Sequence, residues 1–258
     1  MIPFSVLNLM ILNLQFYLPS PESCHAKIGT NFQDWQVNMA TDSIRKTRPA
    51  VPEALFEGNR LDQPTFHRLY EQTPPGFKAE LIGGIVHVAS PLRVTHGRFH
   101  TLLMTWLANY MRATPGTDVL DGATVILGDE SEPQPDACLR FEHGASRVSE
   151  DDYCVGPPEL LIEVSHSTVT KDLVHKRDDY ERNNVGEYLV LVIPESRAIW
   201  FVRGKEGDFV ELSPIDGKLQ SRIFPGLRLD AEAFFQRDYG RVMTVLNEGL
   251  ASIGKGDG

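Results

Sequence analysis

The strongest periodicity in the chain lies between residues 95 and 111. There Phe99, Leu102, Leu103, Trp106, Leu107 and Tyr110 recur at the spacing of one helix face. Pro115-Gly116 closes that helix. Ahead of it, residues 78–81 and 85–88 are extended runs around Gly83-Gly84, the pattern of a tight hairpin. A short helix reaching Glu71 comes first, capped by Asp62 or Thr65 and stopped by Pro74-Pro75. Downstream, β-type runs cover 117–120, 124–127 and 137–141, and 144–156 reads as a surface loop. The apolar run 160–164, between Pro157-Pro158 and Ser165, predicts a central strand buried on both faces. Residues 170–183 form a polar amphipathic helix, 188–193 a second buried strand, 199–203 its hairpin partner, and 209–212 a further hairpin. Pro225-Gly226 and the run 227–229 lead to a last helix from Ala231 to about Leu250. This order predicts an α/β fold with a mixed central sheet flanked by helices.

The 258 residues suit one domain with tails. Residues 1–62 read as a leader and linker, 63–250 as the domain and 251–258 as a tail. The apolar stretch 6–18 is interrupted by Asn8, Asn13 and Gln15 and has no basic residue before it. It is read as an extension, set by an over-early start codon, with a secretory or anchoring segment as the alternative. Three cysteines without a CxxC pair argue against a disulfide framework and point to the cytoplasm. The net charge of −10 argues against a protein that holds nucleic acid by bulk charge, but not against an enzyme with a local basic groove. It also suits a carboxylate metal site.

Glu163 interrupts an apolar strand, where a lone carboxylate is costly unless it is solvated, paired or bound to a cation. Asp136 is a second strand-end acid, and two adjacent strands would place the pair side by side. Such a pair suits Mg²⁺, which keeps several of its waters. Glu80, in the hairpin, is a third candidate, against the plain reading of an exposed strand residue. Lys176 either forms an i,i+4 surface pair with Asp172 or turns back toward the acids to act on water or phosphate. His96 and His100 have the i,i+4 spacing of two zinc ligands, but HExxH and a third ligand are missing. His96 is read instead as a phosphate contact in the cleft. His166 and His175 are read as surface residues on the active-site side. No GxGxxG, GxxxxGK[ST] or GxSxG occurs, which removes support for dinucleotide enzymes, P-loop NTPases and α/β-hydrolases.

Seven ordered segments carry a family resemblance: Glu80-Leu-Ile-Gly-Gly; Ser90-Pro91 with His96-Gly-Arg98; Gln134-Pro-Asp136; Pro158-Glu-Leu-Leu-Ile-Glu163-Val-Ser165; Asp172-Leu-Val-His-Lys176-Arg-Asp-Asp-Tyr180; Gly186-Glu-Tyr-Leu-Val-Leu; and Phe224-Pro-Gly-Leu-Arg-Leu-Asp230. Over residues 63–238 the chain resembles a family of bacterial restriction-endonuclease-like proteins within the PD-(D/E)XK nuclease superfamily. The resemblance implies that fold and divalent-metal hydrolysis of DNA, with Mg²⁺ or Mn²⁺ as cofactor. It implies catalytic Glu80, Asp136, Glu163 and Lys176, with the three acids as metal ligands. The carbonyl after Glu163 is a further possible ligand, and His96 and Ser165 would contact substrate. The superfamily's Lys should follow Glu163 by two residues, where this chain has Ser165, and Lys176 would take over its role. A homodimer with no membrane association is expected. The rival readings are a nuclease-fold module without turnover, and a two-carboxylate glycosidase, for which no sugar-stacking aromatic lies near the acids.

Overall fold

The computed structural model describes residues 50–253. The apolar stretch 6–18, Cys24 and positions 254–258 lie outside the described residues. Packing begins upstream of Gln63. A 3₁₀ turn, Glu53–Leu55, buries Leu55 against Phe66, Ala79, Leu81 and Val86. Helix α1 (Gln63–Tyr70) is capped by the Asp62 side chain, which accepts from the Thr65 amide at 2.9 Å. It covers the hairpin of β1 (Ala79–Ile82) and β2 (Ile85–Val88), where Gly83 and Gly84 take the positive φ angles of the tight turn.

The long helix α2 (Val94–Ala113) lies on one face of a six-stranded sheet. That sheet contains β3 (Thr117–Asp121), β5 (Ala137–Phe141), β8 (Leu160–Ser165), β9 (Glu187–Val192), β10 (Arg197–Arg203) and β11 (Phe209–Glu211). Its order is β11-β10-β9-β8-β5-β3, with β8 and β9 parallel and every other pair antiparallel. This is the mixed sheet expected from the pattern. β8 and β9 are buried along their whole length because both faces are covered. Leu160, Ile162 and Val164 meet α2, and the indole of Trp106 donates to the Arg228 carbonyl at 3.0 Å. Leu161 faces the other way, toward Tyr180, Tyr188 and Val190.

Two expectations need correction. The region 144–156 is not a plain surface loop. It contains β6 (Arg147–Val148) and β7 (Cys154–Val155), and β7 pairs in parallel with β4 (Val125–Ile126), burying Cys154. The last helix is two helices, α4 (Ala231–Gln236) and α5 (Tyr239–Ile253), preceded by the small pair β12 (Leu219–Gln220) and β13 (Arg228–Leu229). Arg237 turns left-handed (φ 54°), and the Asp238 carboxylate accepts the Arg241 amide, capping a new helix there. Among the described residues no helix is long and apolar enough to cross a membrane.

Candidate metal centre

In the β5–β8 ladder Cys138 faces Leu161 and Ala137 faces Ile162. The next step of that register sets Asp136 opposite Glu163. Directly opposed residues hold their Cβ atoms about 5 Å apart, so the two strands bring together acids 27 positions apart in sequence. Asp136 is oriented from both sides. Its Oδ2 accepts the Val164 amide at 2.7 Å, and both its oxygens lie 3.2 Å from Nε2 of His96, in the first turn of α2. His100 Nε2 is 3.0 Å from the Asp136 carbonyl. The Asp136 contact raises the His96 pKa, against burial.

Glu80 enters from the hairpin. Ala79 and Leu81 face the α1 side, and the alternation of β1 turns Glu80 the other way. Its Oε1 accepts Lys176 Nζ at 2.6 Å and the Gln134 amide at 2.9 Å, and its Oε2 accepts Lys171 Nζ at 2.9 Å. Lys176 is buried and also donates to Glu163 Oε1 at 2.7 Å, where the Tyr180 hydroxyl donates at 3.3 Å. Glu163 Oε2 accepts no hydrogen bond from the described residues.

Lys171 escaped the sequence reading for a geometric reason. Lys171–Lys176 is a π-helical turn that continues into α3 (Arg177–Arg182). In an α-helix, residues five apart point about 140° away from each other. A π turn bonds residue i to i+5 and stacks those positions, so both ammonium groups reach one carboxylate. No spacing rule in the sequence announces this turn.

The electrostatics follow from burial and from an excess of acids. Burial raises the Glu80 pKa, but Lys176 and Lys171 outweigh it and bring it to about 2. Burial raises the Glu163 pKa and Asp136, Asp172 and Glu80 add to the rise, leaving it well above the ordinary range despite Lys176. Burial works against the Lys176 charge, yet Glu163, Glu80 and Asp172 raise its pKa above that of a free lysine. The pocket therefore favours cations beyond the two it owns.

A cavity of about 210 Å³ opens beside Glu80, Asp136, Glu163 and Lys176, and His96, His166 and Lys171 also line it. Ser165 does not line it. The residue stays in β8, paired with Val192, fully buried, with no hydroxyl partner among the described residues. The structure thus does not present Ser165 to a substrate. His175 packs against His87 instead, at 6.0 Å between ring centroids. His96 and His100 stack at 5.8 Å, and among the described residues no three His, Cys, Asp or Glu side chains converge as metal ligands. Both Glu80 oxygens are taken up by Lys176, Lys171 and the Gln134 amide. Among the described residues Glu163 keeps one oxygen free of protein donors, and Asp136 Oδ1 meets only the His96 ring, a carboxylate pair that fits a hard cation keeping several waters. Among the described residues no Phe, Tyr or Trp lines the cavity.

A family model described as "Putative restriction endonuclease" (Uma2) matches residues 63–232. No curated protein matches the chain. A solved structure from Anabaena variabilis, described as "a putative nuclease belonging to DUF820", is similar over 61% of this chain and 90% of its own. The identity is 13% and the TM-score 0.47.

Proposed function

The chain belongs to the Uma2 family, and from that premise we propose that it is a divalent-metal-dependent endonuclease hydrolysing DNA phosphodiester bonds. The observation that carries this reading is the cross-strand pair Asp136 and Glu163 at a cavity that also presents Lys176. Asp136 and Glu163 would hold Mg²⁺ or Mn²⁺. A bound ion of this kind lowers the pKa of water and offsets charge on the phosphate. Lys176 places a fixed positive charge where the phosphate charge grows. Glu80 acts by holding Lys176 and Lys171, and His96 by holding Asp136. A two-fold dimer would bring two such cavities to two strands. The free, buried thiols of Cys138 and Cys154 suit a reducing cytoplasm.

Glu163 must be ionised to accept a cation, and burial raises its pKa. Cation binding should therefore release a proton and strengthen as pH rises. Calorimetric titration with Mn²⁺, repeated in buffers of different ionisation enthalpy, tests this. Net proton release on binding is expected. Binding without proton exchange would remove Glu163 from the ligand set.

One observation favours a second reading, a nuclease-fold binding module without turnover. Lys176 already supplies a cation to both Glu80 and Glu163 from inside the protein. The same titration separates the two, because the module predicts no Mn²⁺ or Mg²⁺ affinity.

A further inference from the structure

The cavity has a rim that the metal chemistry does not use. Residues 90–94 join β2 to α2, and Leu92 and Arg93 line the cavity beside Asp136 and Glu163. Leu92 is 71% exposed and Val94 73%, the two most exposed large hydrophobic side chains among the described residues. Isolated apolar residues on a surface are common, but two that flank a cation at the mouth of a candidate active site call for a partner.

Charge identifies that partner. The chain carries 35 acidic residues, yet none stands between Glu80 and Asp118. Arg93, within this stretch, and Lys78, just before it, both line the cavity; both are exposed, and neither forms an ion pair among the described residues. A second copy docking here by two-fold symmetry would set this cationic patch against itself. A polyanion would be attracted instead. Nucleic-acid proteins pair such cations with apolar wedges that enter between base steps, at a cost of a few kcal/mol per unstacked step.

We propose that residues 90–94 form the DNA-engaging rim of this cavity. Arg93 contacts a backbone phosphate next to the cleaved one, and Leu92 and Val94 press into a base step. The substrate class is then duplex DNA opened at one step beside the cut. This rests on the nuclease reading above and adds the element that engages the substrate.

The test uses the full chain and a duplex carrying 2-aminopurine, with Ca²⁺ replacing Mg²⁺ so that binding is read without cleavage. Wild-type protein should raise 2-aminopurine fluorescence on binding. A Leu92→Ser, Val94→Thr double variant should bind about tenfold more weakly and lose the fluorescence rise, with its salt dependence unchanged. Arg93→Ala should keep the rise at saturation, while its slope of log K against log salt falls by about one unit. All three positions are exposed, and an unchanged melting temperature confirms folding. A double variant with wild-type affinity and wild-type fluorescence overturns the rim and leaves the nuclease reading standing. A double variant that binds DNA normally but sediments as a smaller species assigns the patch to a second copy and also overturns it. Wild-type protein with no DNA affinity overturns the rim together with the nuclease reading.

Discussion

Lys176 is the residue on which the site turns. It is 2% exposed and holds two carboxylates, so its removal strands charge inside the protein. Lys176→Met should lower stability by about 3–5 kcal/mol, measured by chemical denaturation at neutral pH. A loss under about 1 kcal/mol would mean that the lysine is freely solvated. Glu80 makes a separate, pH-dependent contribution. Its folded pKa of about 2 lies below the ordinary 4.5, so its stabilisation is present above pH 4.5 and is lost as pH falls toward 2. Glu80→Gln should flatten the stability curve across that window. The sequence made part of this visible. Glu163 stands out because an acid inside an apolar strand needs a partner, and Lys176 lies one helix away. Lys171 does not stand out, because its approach to Glu80 depends on a π turn. Ser165 looked available because it follows an apolar run, but β8 continues through it.

At the scale of elements, helical spacing identified α2 and continuous apolar runs identified β8 and β9, since long periodic patterns outweigh local choices. Residues 144–156 were opaque because strands of two residues leave no alternation to read. The break at Arg237 was hidden inside a run whose apolar pattern continues through α5. The second half of that unit rests on a close backbone approach. A Cβ added at Gly249 would fall 2.1 Å from the Gly226 carbonyl oxygen. Gly to Ala within a helix ordinarily stabilises by about 1 kcal/mol. Here Gly249→Ala should destabilise, by about 1–3 kcal/mol, as α5 is pushed from the turn at Gly226. A raised melting temperature would show that α5 docks differently.

At the scale of the whole molecule, an acidic chain presents one end of its sheet as a locally cationic mouth over buried acids. Three elements distant in sequence supply that end: the β1–β2 hairpin gives Glu80, the β5–β8 ladder gives Asp136 and Glu163, and the π turn gives two lysines. The ordered segments made the membership legible, whereas the division of labour among the acids needed the geometry. Glu80 is held by lysines through both oxygens, whereas Glu163 meets Lys176 through one oxygen only. The most direct test is Mg²⁺-dependent cleavage of plasmid DNA by the wild type and by Asp136→Ala, each verified as folded. We expect cleavage that stops on chelation and falls by more than about a hundredfold in the variant. Equal cleavage by the two proteins would contradict a metal held between Asp136 and Glu163.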